Sequence, residues 1–122
     1  MTIEASILVY DDDTVCGRAY ASALHQEGYN NVLVASHFEP ALTALESEAT
    51  IDLLLADIVV PGGLNGAALA RMARQRQPAL KVIFVTGYDI GRSETQAEWP
   101  ILQKPFSDER LLAEVSRALE AV

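Results

Sequence analysis

A chain of 122 residues with a formal net charge of -8 and half its residues hydrophobic is long enough for one domain with a real core. The acidic balance argues against direct nucleic-acid binding, because phosphate backbones select basic surfaces, and no apolar run approaches the roughly 20 residues that cross a bilayer. The single cysteine, Cys16, cannot form an internal disulfide, and Met1–Ser6 lacks the basic start and long apolar stretch of a secretory signal, so a cytoplasmic protein is expected.

Apolar runs alternate with helix-period segments, the pattern of a parallel sheet covered by helices on both faces. Strands are expected near 6–10, 31–35, 52–56, 81–85 and 100–103. A first helix over about 14–27 carries Cys16 as a small apolar filler, begins after Asp13 as its cap, and stops at Gly28. A second places Phe38, Ala41, Leu42 and Leu45 on one stripe, with Ser36 and Glu39 as a capping box and Pro40 admissible only in the first turn. A third, about 66–76, buries Leu69, Ala70 and Ala73 and turns Arg71, Arg74 and Arg76 to solvent. The segment 87–99, with Gly87 and Gly91 and no clean apolar period, reads as a short, irregular or mobile helix. A last helix, about 108–121, is capped by Ser107 and buries Leu112, Val115, Leu119 and Val122.

Four of the apolar runs end on reactive residues. Ile7–Tyr10 runs into Asp11-Asp12-Asp13, Leu53–Ala56 into Asp57, Val82–Val85 into Thr86, and Ile101–Gln103 into Lys104. In an open α/β sheet such endings meet along the carboxyl edge, where ligands bind. Carboxylates, a hydroxyl and an ammonium there suit a divalent cation and a phosphoryl group. A carboxylate can attack phosphorus to form an acyl phosphate, and Mg²⁺ neutralises charge between the two anions. Taken singly, each residue has a plainer reading: Asp11 and Asp12 as turn formers, Thr86 as a strand-end hydroxyl, Lys104 as a solvated lysine.

The string Ile7-Leu8-Val9-Tyr10-Asp11-Asp12-Asp13, the loop Asp57–Gly66, Val85-Thr86-Gly87 and Lys104-Pro105-Phe106 together resemble response-regulator receiver domains of two-component signalling, over essentially the whole chain 1–122. The resemblance implies a flavodoxin-like (βα)₅ fold, a doubly wound parallel five-stranded sheet of order 2-1-3-4-5. It implies Asp57 as phosphoacceptor, Asp11 and Asp12 as the acid pair holding Mg²⁺ with the Val59 carbonyl, Thr86 as switch hydroxyl, Lys104 as phosphate-binding lysine, and a cis Lys104-Pro105 peptide. Such a domain catalyses its own phosphorylation and dephosphorylation without being a turnover enzyme. Its partners are a histidine kinase or histidine phosphotransfer protein and a downstream protein the sequence does not name. A stand-alone regulator and a domain of a hybrid kinase or longer regulator look alike in this sequence.

The chain departs from the family at several positions. Ile101 stands where the family usually has Tyr or Phe, which puts the usual route of signal output in question. Trp99 and Tyr88 are nearby aromatics that read first as packing. The Thr86–Lys104 stretch is short by about a helical turn, and the loop after Asp57 carries an extra residue at Gly62-Gly63. Tyr10 replaces a small aliphatic. Val59 and Tyr88, two residues past Asp57 and Thr86, offer no carboxylate or amide to orient an attacking water, so a long-lived phosphoryl group is expected.

Two other functions fit parts of the sequence. Asp11-Asp12-Asp13-Thr14-Val15 matches the Asp-x-Asp-x-Thr/Val pattern of haloacid-dehalogenase-like phosphatases, with Asp11 as nucleophile. Only Ser107-Asp108-Glu109 follows the lysine as an acidic motif, however, and there is no cap segment. A receiver-like module acting by protein contact without phosphorylation is the non-catalytic alternative.

Overall fold

A computed structural model describes residues 3–47, 50–58, 66–87 and 99–120. In chain order the elements are β1 (Ile3–Tyr10), α1 (Thr14–Glu27), β2 (Tyr29–Ala35), α2 (Phe38–Glu46), β3 (Leu53–Asp57), α3 (Gly66–Arg76), β4 (Lys81–Thr86), β5 (Ile101–Gln103) and α4 (Asp108–Glu120). The five strands form one parallel sheet in the order β2-β1-β3-β4-β5. The expected short helix over 87–99 and the expected burial of Val122 lie outside the described residues, apart from Gly87 and Trp99.

Strand alternation divides the core into two layers. Ile7, Val9, Leu53, Leu55, Ile83 and Val85 face α1 and α4, where they meet Leu24, Leu111 and Val115. Leu8, Tyr10, Leu54, Ala56, Val82 and Phe84 face α2 and α3, where they meet Ala41, Leu45, Leu69, Ala70 and Ala73. Every residue of β3 is buried. Being covered on both faces is why this run is almost wholly apolar rather than alternating.

The first helix follows its sequence signals closely. Asp13 Oδ1 accepts from the amides of Val15 (2.9 Å) and Cys16 (3.3 Å), and Gly28 closes the helix at φ 114°, in the left-handed region. Ser107 caps α4 in the same manner, its Oγ accepting from Arg110 N at 3.0 Å. Lys104-Pro105 is cis.

Three expectations need correction. The capping box at Ser36 and Glu39 does not form: the N-cap of α2 is His37, without a side-chain cap bond. A helix starting at Ser36 would need its first internal bond from the amide of Pro40, which has none; the first bond instead runs from Ala41 N to His37 O at 3.3 Å. In α4 the fully buried leucine is Leu111, while Leu112 and Leu119 are only partly covered. Finally, Arg71 and Arg76 are exposed but Arg74 is only partly so: its guanidinium lies 5.5 Å from the centre of the Trp99 ring, which itself meets Phe84 edge-on at 5.6 Å. Trp99 is thus a packing residue, and Ile101 lies partly buried against the same layer.

Candidate functional site

Sheet register fixes where the strand endings fall. Tyr10 pairs with Ala56, so Asp11, one residue on, comes level with Asp57. Asp57 pairs with Val85, and Thr86 with Gln103. Backbone bonds tie these ends together beyond the strands: Asp11 N to Ala35 O (3.2 Å), Ile58 N to Val85 O (3.0 Å) and Lys104 N to Thr86 O (2.7 Å). Asp11, Asp57 and Thr86 are buried, whereas Asp12 is exposed.

Lys104 reaches from the far end of the sheet to two of these carboxylates. Its Nζ lies 2.9 Å from Asp11 Oδ2 and 3.3 Å from Asp57 Oδ2. The other oxygen of Asp11 accepts from Asp13 N at 2.9 Å. Burial pulls the lysine pKa down, but the hydrogen bond and charge of Asp11, together with the charge of Asp57, outweigh it and leave the pKa above the usual lysine value. The lysine is therefore a fixed cation beside Asp57.

Oxygens of Asp11, Asp12 and Asp57 come within 4.8 Å of one another, close enough to share one ion. Hard carboxylate oxygens suit Mg²⁺ or Ca²⁺ rather than a softer metal. Three carboxylates against one ammonium leave negative charge that a divalent cation would balance. The fourth expected contact, the Val59 carbonyl, lies outside the described residues, as does Tyr88.

Two supports of the site carried no recognisable sequence signal of their own. Gly66, which opens α3, packs directly on the backbone that bears Asp57: a Cβ there would overlap the Asp57 carbonyl oxygen and come within 2.9 Å of the Ala56 Cβ. Tyr20 on α1 stacks on Phe106, two residues past Lys104, with centroids 5.3 Å apart, and so braces the segment that carries the lysine. Burial pushes the thiol pKa of Cys16, one turn before Tyr20 on α1, up and against reactivity. Among the described residues no helix is long and apolar enough to cross a membrane.

Comparison with known proteins agrees with this architecture. The family model described as "Response regulator receiver domain" matches residues 7–116. The chain is 34% identical over 121 residues to the response regulator receiver protein CpdR of Brucella abortus (strain 2308), covering 94% of this chain and 97% of that one. It is 31% identical to the sensor kinase CckA of the same organism, covering 95% of this chain but only 13% of the kinase. Among solved structures, a CheY-like receiver domain from Methanospirillum hungatei JF-1 superposes with a TM-score of 0.83 at 29% identity, covering 97% of this chain and 95% of that one. With its five-stranded 2-1-3-4-5 sheet and its acidic carboxyl edge, the chain belongs to the response regulator receiver domain family of two-component signalling.

Proposed function

We propose that residues 1–122 are one phosphoacceptor domain, working in the cytoplasm, which takes a phosphoryl group onto Asp57 from a phosphohistidine of a histidine kinase or histidine phosphotransfer protein. The Asp57 carboxylate oxygen forms the new bond to phosphorus as the phosphorus–nitrogen bond breaks, and the imidazole leaves with its electron pair and takes a proton. Attack by water on phosphorus later restores the carboxylate and releases inorganic phosphate. Mg²⁺, held by Asp11, Asp12, Asp57 and the Val59 carbonyl, would offset the charge that the two anions bring together.

The protein's own groups divide the remaining work. Asp11 and Lys104 hold each other in place, leaving the ammonium beside Asp57 for a phosphoryl oxygen. Thr86, at the end of the neighbouring strand, supplies a hydroxyl donor. Charge stabilisation by fixed donors and cations is the main contribution a protein makes to phosphoryl transfer. The altered state then changes the binding of a downstream protein.

The observation that carries this reading is the Lys104 ammonium set between Asp11 at 2.9 Å and Asp57 at 3.3 Å on the carboxyl edge of the sheet. Incubation with acetyl phosphate and Mg²⁺, followed by intact mass measurement, tests it. The chain is expected to gain one phosphoryl group and Asp57→Asn none. A gain that survives Asp57→Asn but not Asp11→Asn would favour the phosphatase-like chemistry. No gain in the unaltered chain would favour a module acting by contact alone.

A further inference from the structure

β5 is shorter than the strand it pairs with. Its register with β4 begins at Phe84 and Ile101, with a bond from Phe84 N to Pro100 O at 3.0 Å beside that first pair. Lys81, Val82 and Ile83 pair with β3, but among the described residues no strand lies beside them on the β5 side. A cleft of about 810 Å³ opens there, between the end of α3, the residues leading into β5, and α4. It lies at the amino edge of the sheet, the opposite end of the strands from Asp11, Asp57 and Lys104. Buried Leu80 and Val82, with Trp99, give it an apolar lining.

The charge of the cleft is the reverse of the molecule's. The chain carries -8, yet Arg74, Lys81 and Arg117 line the cleft against one carboxylate, Glu114. That carboxylate is already shared, with Arg117 Nη1 at 3.3 Å and Arg110 Nε at 3.6 Å from the same oxygen. Among the described residues neither Arg74 nor Lys81 makes an ion pair. Arg74 is held over the Trp99 ring, and its Nε is buried with no hydrogen-bond partner among the described residues. A guanidinium donor taken from water and left unpaired is costly, and a carboxylate is the acceptor that matches its planar fork.

We propose that this cleft docks an extended acidic peptide segment of a partner protein. One apolar side chain of the segment packs against Trp99 and Leu80, and its flanking carboxylates meet Arg74, Lys81 and Arg117. The volume exceeds what an inorganic anion fills and suits several side chains. The open stretch of β4 offers an extended backbone a sheet edge to pair with. The acidic surface elsewhere repels such a segment, so its attraction is confined to the cleft. The proposal goes beyond the phosphorylation reading and does not depend on it.

Titration with the peptide acetyl-Asp-Glu-Leu-Asp-Glu-amide tests it, followed by the NMR signals of the Arg74 Nε–H and the indole N–H of the single tryptophan. Both signals are expected to shift saturably. The neutral counterpart, with Asn and Gln for Asp and Glu, should bind about tenfold more weakly or worse. Arg74→Gln should weaken the acidic peptide by about tenfold, read at the indole, and Lys81→Gln severalfold, with melting curves showing that both variants fold. Asp57→Asn is expected to leave the affinity unchanged, so failure of the phosphoryl chemistry and failure of docking are read separately. The proposal is overturned if neither signal shifts, if the neutral peptide binds equally, or if both cleft substitutions leave the affinity unaltered. It is also overturned if the same shifts appear on concentrating the chain alone, since the occupant is then a second copy.

Discussion

Lys104 stands nearer to Asp11, at 2.9 Å, than to Asp57, at 3.3 Å. The lysine is thus anchored chiefly by the carboxylate that the proposed chemistry leaves unmodified. Asp11 is fully buried while the lysine side chain is 21% exposed, so the pair is only partly shielded from solvent. Lys104→Ala would strand a buried carboxylate, and is expected to cost about 2–3 kcal/mol, less than a fully buried pair would. Urea denaturation in the absence of divalent ions measures this.

The same pair sets a pH dependence with a definite sign. The folded pKa of Lys104 lies above its unfolded value, because the bond to and charge of Asp11 with the charge of Asp57 overcome burial. Its stabilising effect is therefore fully present below the ordinary lysine pKa of about 10.4 and disappears only as pH rises through the higher folded value. The stability difference between the unaltered chain and Lys104→Ala should be level from neutral to mildly alkaline pH and shrink in strong alkali.

Mg²⁺ is expected to stabilise the fold, since the carboxylate cluster exists only when β1 and β3 are paired. At a hundredfold excess over the dissociation constant the gain is about 2.7 kcal/mol. Thermal melts with Mg²⁺ and with a chelator check this, and Asp12→Ala should remove most of the difference. A melting temperature indifferent to Mg²⁺ would count against a metal site.

Gly66→Ala places a methyl group against the Asp57 carbonyl oxygen and the Ala56 side chain. Either α3 lifts from β3 or the end of β3 shifts, at a cost of about 1–3 kcal/mol. A shift of β3 would also slow modification of Asp57 by acetyl phosphate. Rate and melting curve measured together tell the two responses apart.

Asp13 is held below the ordinary carboxylate pKa by the amides of Cys16 and Val15. Its cap is therefore at full strength above the unfolded value of about 3.9 and fails as pH falls through the lower folded one. Asp13→Ala should speed amide exchange at Val15 and Cys16 at neutral pH, Asp13→Asn much less, and the difference should vanish in acid.

The parts of this fold legible in the sequence were those governed by neighbours along the chain. β3 and β4 stand out because burial on both faces demands unbroken apolar runs, and α1 because Asp13 and Gly28 mark both its ends. In α4 adjacent leucines offer two stripes through Val115, one with Leu112 and Leu119 and one with Leu111 and Ala118, and periodicity alone cannot choose between them. The grouping of Asp11, Asp57 and Lys104 followed from strand endings, but the order of attachment of the lysine did not, since it depends on a contact spanning 93 residues. Arg74 failed for a similar reason: its partner, Trp99, lies on a distant part of the chain.

Because β3 is buried at every residue, the proposed acceptor is mounted on a strand packed on both faces. Travel of that strand would disturb packing on both of its faces. A change at its carboxylate is therefore expressed at lower cost as rearrangement of the parts around it. Helix surfaces can then diversify for new recognition without disturbing the chemistry, and a domain built this way can be joined to many different outputs.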